Sequence, residues 1–170
     1  MNETAFKLLF KKSVEHHGGV AISLNSSFYA GLPDLYILVP GYTPCLVEAK
    51  FLKDVGPTFK RKINYSPVQR SILDKTSKLC EHASLGLVGY KQGKQLIAAL
   101  VPSKLEHITH DCHHAGTSIS IRGKFFDIPG MFKHVTENKI PLIQHIHNIE
   151  DIFEDFDKPC EPSLPTMGVV

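Results

Sequence analysis

Glu48 and Lys50 stand two residues apart in a stretch, Cys45 to Phe51, that reads as a strand. Alternate side chains of a strand face opposite ways, so the two charges share one face while Val47, Ala49 and Phe51 occupy the other. Asp34 opens a second, nearly continuous apolar run, Asp34 to Val39, directly after Pro33. That proline keeps Leu32 extended and cannot donate to a ladder. Closing the two runs as a hairpin across Gly41 brings Asp34 near the Glu48 and Lys50 end. Two carboxylates converging away from water need a counter-charge, which a divalent cation with oxygen ligands supplies better than one lysine. The pattern predicts a Mg²⁺ site. An Asp followed at a distance by Glu-x-Lys also arises by chance, and such a pair on an edge strand can be a solvated rung. The functional reading gains weight from position: Gly31-Leu32-Pro33-Asp34 stands directly before one apolar strand, and Val47-Glu48-Ala49-Lys50 closes the next.

The G-L-P-D-L and V-E-A-K pair, followed by S-P-V-Q-R at the opening of a helix, resembles the PD-(D/E)XK nuclease superfamily. Within it, the resemblance is to the small VRR-NUC-like and Holliday-junction-resolvase-like members of phages and bacteria, and it spans about residues 3 to 100. It implies a restriction-endonuclease-like core in which Asp34 and Glu48 hold Mg²⁺ or Mn²⁺. The carbonyl of Ala49 would add a ligand, and Lys50 would orient and activate the attacking water. The chain departs from the VRR-NUC pattern, since Val88-Gly89-Tyr90 stands where a Val-Arg-Arg is expected.

Relatives of this kind commonly add an acidic residue from the first helix, and the chain offers Glu3 and Glu15. Positions 3, 6, 10, 13 and 17 share one helical face, the face of Phe6 and Phe10, so Glu3 is the expected third metal residue. Glu15 sits beside Lys11 and Lys12 on a more solvated face. A favourable charge at a helix N-terminus is an equally good account of Glu3. Gln69 has a similar double reading: the family often turns this glutamine toward the active site, and it also completes a capping box with Ser66.

Between Lys50 and Lys78 the chain carries eight basic residues and two acidic ones. Such a surface attracts phosphates, and Lys53, Lys60, Arg61, Lys62 and Arg70 are the expected nucleic-acid contacts. Phe59 and Tyr65 are candidates to stack on exposed bases. A run of charge is more often only a solvated face; its place beside the acidic site raises the binding reading.

The elements that must position these residues are legible from periodicity. Phe6, Phe10 and Val14 mark a first helix from Asn2, its cap, to Gly18-Gly19. Strands follow at Val20 to Leu24, Asp34 to Val39 and Cys45 to Phe51. Residues 52 to 65 read as a loop. Ser66-Pro67-Val68-Gln69 starts a second helix whose expected buried stripe is Ile72, Thr76, Leu79 and Ala83. Leu85 to Tyr90 and Gln95 to Val101 form a second hairpin across Lys91-Gln92-Gly93-Lys94. Beyond Pro102 the pattern gives a strand at Ser118 to Arg122, a short helix around Ile128 to Asn138 and an acidic helix near Ile149 to Phe156. The order α-β-β-β-α-β-β predicts an α/β fold, a mixed sheet of about five strands flanked by helices. The expected organisation is one domain over residues 1–157, with a core at 3–101, an elaboration at 102–157 and a loose proline-containing tail at 158–170.

The composition suits that picture. The chain has 170 residues, 42% apolar and 21% charged, with a net charge of +2. Six of the 17 acidic residues and one of the 19 basic ones lie beyond His147, which leaves a body at +7 and a tail at −5. A basic body is compatible with a polyanionic partner. Cys45, Cys80, Cys112 and Cys160 are widely spaced, which argues against a disulfide scaffold and for a reducing compartment. No apolar run long enough to span a membrane and no secretory pattern occurs, so no membrane role and a cytoplasmic site, in a bacterium or a phage-infected cell, are expected. His107, His110, Cys112, His113 and His114 match no standard zinc module, and a polar loop is the better reading.

Taken together, the expectation is a Mg²⁺- or Mn²⁺-dependent endonuclease acting on DNA. A structure-selective enzyme on branched or junction DNA is the favoured subtype, because no appended domain large enough to read a long sequence is evident. Cutting a symmetric junction twice would call for a homodimer. The rival expectation is a non-catalytic nucleic-acid-binding or assembly protein that keeps the fold.

Overall fold

The computed structural model describes residues 1–24, 31–53, 60–109, 118–138 and 141–147. Its centre is a seven-stranded mixed sheet in the order β1-β2-β3-β5-β6-β9-β8. The first helix, α1 (Glu3–His16), is capped by Asn2, whose side chain accepts from the Ala5 amide. Strands β1 (Val20–Ser23), β2 (Leu35–Leu38) and β3 (Cys45–Leu52) then run as antiparallel neighbours. A three-residue strand, β4 (Lys60–Lys62), precedes α2 (Pro67–Leu79), which crosses over so that β5 (Ser84–Gln92) pairs parallel to β3. A tight turn returns the chain as β6 (Gln95–Pro102), antiparallel to β5. β7 (His107–Thr109) leaves the main sheet and pairs only with β4. β8 (Ser118–Ile121), α3 (Ile128–Lys133, continuing as a π-helical turn over His134–Asn138) and β9 (Ile143–Ile146) complete the described chain.

The two faces of the sheet carry separate apolar clusters. One packs Phe6, Leu9, Phe10 and Val14 of α1 and Met131 and Phe132 of α3 onto Val47, Ala49, Leu85, Leu87 and Leu100. The approach of α1 is close: a Cβ on Gly89 would lie 2.3 Å from the Phe6 ring, so glycine is required there. The other face gathers Val88, Tyr90, Ile97, Ala99 and Val101 under Ile63, with Tyr65 and Leu105 packed against them. Burying each large aliphatic or aromatic side chain in these layers contributes about 1.5–3 kcal/mol.

The mixed α/β class holds, and so do the five expected core strands (β1, β2, β3, β5 and β6), the strand at Ser118–Ile121, both long helices and the capping box at Ser66 and Gln69. Three expectations are corrected. The sheet has seven strands rather than about five, because β8 and β9 extend its far edge. Residues 52–65 are not all loop, since Lys60–Lys62 pairs with His107–Thr109, a partner far along the chain. The buried row of α2 does not run through Ile72, Thr76 and Leu79: Leu73 is its buried residue and Leu79 is 89% exposed. Gln69 and Leu73 lie one turn apart on the side facing the sheet, and the bond from Gln69 to Glu48 fixes that rotation. The expected acidic helix at 149–156, the tail, Phe59 and the stretch His110–His114 fall outside the described residues.

Candidate active site

The site is built where β3 outruns β2. Their register ends at Leu35 opposite Val47, while β3 continues to Leu52. The Leu46 amide donates to Ala83 on the β5 side, so the amides of residues 47, 49 and 51 face the other way, toward β2. Past Val47 that side has lost its strand partner, and two carboxylates replace it. Asp34 Oδ2 accepts from the Ala49 amide at 2.9 Å, and Glu3 Oε2 accepts from the Phe51 amide at 3.3 Å. Asp34 is held because it immediately precedes β2; Glu3 is held by α1, one turn before Lys7. Lys7 Nζ in turn donates to Asp34 Oδ1 at 2.7 Å.

On the α2 face of the same strand lie Glu48 and Lys50. Glu48 is 1% exposed. Its Oε1 accepts from Lys50 Nζ and from Gln69 Nε2, both at 2.6 Å, while its Oε2 is buried without a hydrogen-bond partner. Gln69 is oriented from behind by its reciprocal cap, accepting from the Ser66 amide at 2.9 Å through Oε1. Burial pushes the Glu48 carboxyl above its ordinary range; the Lys50 hydrogen bond and charge and the Asp34 backbone amide oppose this, and the nearby Asp34 side-chain charge adds to it. A buried anion with one unsatisfied oxygen next to a second anion is costly unless something positive completes it.

Tyr65 supports this corner. Its hydroxyl packs on Gly86, the β5 residue paired with Glu48, where a Cβ would come within 2.3 Å of it. That hydroxyl is buried and makes no hydrogen bond, and burial raises it to about 12. Arg70 stacks over the Tyr65 ring at 4.7 Å and donates to the Ser103 carbonyl at 2.7 Å.

Asp34, Glu48, Lys50, Gln69 and Glu3 thus all lie on β3 or against it. Glu3 reaches the strand edge, but its described bond is to Phe51 rather than to the other two carboxylates; Glu15 is exposed. Among the described residues no group of three or more His, Cys, Asp or Glu is arranged to hold a metal. The oxygen donors at this corner that could take part in holding a divalent cation are Asp34, Glu48 and the Ala49 carbonyl, which faces the same uncovered edge as the Ala49 amide. Lys53, Lys60, Arg61 and Lys62 are exposed, the last three on β4. Arg70 is tied to Ser103 and Tyr65, and Tyr65 is spent on Gly86, so neither is presented in the way a base-stacking surface requires. Burial pushes the Cys45 thiol to about 12, which leaves it a core residue rather than a nucleophile. Sequence reasoning misses Lys7 and the packing role of Tyr65; for Lys7 the available signal is its spacing four residues from Glu3.

Neither a protein-family model nor a curated relative matches the chain. Among solved structures it is similar to Hjc, a Holliday junction resolvase of Archaeoglobus fulgidus, at 13% identity and a TM-score of 0.44, covering 62% of this chain and 85% of that one. A likeness at this level carries no functional argument, so the reading below rests on the geometry of the chain itself. Among the described residues no helix is long and apolar enough to cross a membrane.

Proposed function

We propose that the protein is a divalent-metal-dependent endonuclease that hydrolyses DNA phosphodiester bonds, with branched or junction DNA as its preferred substrate. The observation that carries this reading is Glu48, a carboxylate 1% exposed with one oxygen unpartnered and the Asp34 charge beside it. Asp34, Glu48 and the Ala49 carbonyl would hold Mg²⁺ or Mn²⁺. Bound there, the ion would polarise the phosphate, acidify its water and stabilise the leaving oxygen. Gln69 holds Glu48 Oε1 in place, and Lys50, at the same oxygen, presents its ammonium where the attacking water must be oriented. Water adds to phosphorus, one P–O ester bond breaks, and the departing oxygen takes up a proton. Lys53 and the β4 cations Lys60, Arg61 and Lys62 would bind flanking phosphates, with Arg70 supporting their base through Tyr65.

The same proposal includes a single nuclease domain with its core at 3–101, a homodimer for paired cuts, and a cytoplasmic location in a bacterium or phage-infected cell. The second reading, a non-catalytic nucleic-acid-binding or assembly protein, draws on one observation. Asp34 and Glu3 cap strand amides and so have a structural task that needs no metal. Incubation with linear, single-stranded, flapped and four-way-junction DNA in Mg²⁺ and in EDTA separates the two. Metal-dependent cleavage lost in Glu48→Gln supports the nuclease, and DNA binding without any cleavage supports its rival.

A further inference from the structure

The two acidic residues of the site differ in what their oxygens are doing. Glu48 leaves Oε2 buried without a partner, so a cation bound to it would not have to take Oε1 from Lys50. Both oxygens of Asp34 are already engaged: Ala49 holds Oδ2 through its amide and Lys7 holds Oδ1 with a full positive charge. We propose that Lys7 is a resident counter-ion, holding Asp34 in place of a metal and competing with a divalent cation for that carboxylate. This rests on the metal-binding reading of Asp34 and Glu48.

The physical case is competition for one oxygen. The Lys7 and Asp34 side chains are only 23% and 16% exposed, so solvent screens them weakly. An ammonium 2.7 Å from Oδ1 and a metal bound to the same oxygen would be two cations within a few ångströms of each other. Oδ2 already accepts from the Ala49 amide, and a cation placed there would still lie close to the Lys7 ammonium on the same carboxylate. Lys7 is the movable partner, since it hangs on a flexible four-carbon stem while Asp34 is also tied to the Ala49 amide. It keeps the metal-free site near charge balance, with Lys7 on Asp34 and Lys50 on Glu48. The consequence is a metal affinity held below what the carboxylate pair alone would give.

The test compares wild type, Lys7→Gln and Lys7→Arg in Mn²⁺ titrations without DNA, read by calorimetry and by the metal-induced rise in Tm. Lys7→Gln removes the competing charge and should bind about tenfold tighter, the low end of what one adjacent charge does to a carboxylate. Its metal-free Tm should fall, so its metal-induced rise should be larger than that of wild type. Lys7→Arg keeps the charge and should show no gain. A merely structural ion pair predicts unchanged or weaker metal binding in Lys7→Gln, and that result overturns the proposal. Glu48→Gln is titrated alongside. If Mn²⁺ binding depends on Glu48 yet ignores Lys7→Gln, the Lys7 proposal alone falls. If wild type binds no Mn²⁺, or binds it independently of Glu48, the metal-site reading falls with it.

Discussion

Replacing Glu48 with Gln should make the metal-free protein more stable and the metal-loaded protein less so. In wild type the unpartnered Oε2 is a buried acceptor on a charged group, a situation that costs about 1–3 kcal/mol. Glutamine keeps an oxygen for Lys50 and Gln69 and removes the charge. Its new amide nitrogen inherits the unsatisfied position at a smaller, neutral cost. Lys50 keeps a hydrogen bond to the glutamine oxygen but loses its ionic partner at a side chain only 21% exposed, which offsets part of the gain. The expected net gain at pH 7 in EDTA is about 1 kcal/mol, or about 2–4 °C in Tm for a domain of this size. Its pH dependence has a definite sign. The folded Glu48 carboxyl lies above its ordinary value of 4.5, so its cost is fully present above the folded pKa and fades as pH falls through it. The advantage of the variant should therefore shrink as pH falls through the folded pKa and be gone well below 4.5, where the carboxyl is protonated in the folded and unfolded chain alike. Mn²⁺ at one hundred times its Kd should stabilise wild type by about 2.7 kcal/mol and leave the variant unmoved, reversing the order. Calorimetric melts at several pH values, with EDTA and with Mn²⁺, read all of this. A metal-free variant less stable than wild type at pH 7, or a difference that grows on acidification, would refute the reasoning.

Asp34→Ala should lose cleavage as Glu48→Gln does but should also destabilise the metal-free fold by about 1–3 kcal/mol in urea melts, because it strands the Ala49 amide and Lys7 together. Tyr65→Phe deletes a buried hydroxyl that has no partner and should be neutral to stabilising by about 1 kcal/mol in the same melts, with cleavage retained. Replacing Lys60, Arg61 and Lys62 with alanine should weaken DNA binding and flatten its dependence on log salt by about 0.9 per lost phosphate contact on duplex DNA, while Mn²⁺ affinity stays at the wild-type value.

What the sequence discloses about this site follows from how local each determinant is. The Asn2 cap, the Ser66 and Gln69 box and the alternation that puts Glu48 and Lys50 on one face depend on neighbours within a few residues, and all three stand as read. The pairing of Lys60–Lys62 with His107–Thr109 joins two short segments more than forty residues apart, for which periodicity holds no signal. The rotation of α2 turns on one side-chain bond: Ile72 and Leu79 make an apolar stripe, yet Gln69 on Glu48 brings Leu73 inward and leaves Leu79 in solvent. The bonds made by Asp34 and Glu3 are hidden for a related reason. They depend on β2 stopping before β3 does, and neither residue type nor spacing announces where a partner strand ends.

That unequal strand length also decides which acidic residue speaks most clearly for a ligand. Bringing Glu3 and Asp34 to one strand edge costs like-charge repulsion, but each carboxylate there satisfies an amide that would otherwise be buried unpaired, and Lys7 neutralises part of the charge. Their presence is explained without any metal. Glu48 sits on the other side of the backbone geometry, since its amide faces β5. Lys50 and Gln69 satisfy one of its oxygens and leave the other bare in a place water does not reach. A leucine of similar size would pack there without that cost, and stability alone would favour it. A buried carboxylate kept against this gradient is understandable when a cation completes it, which is why the metal-dependent reversal at Glu48, rather than loss of activity at Asp34 or Glu3, is the decisive measurement.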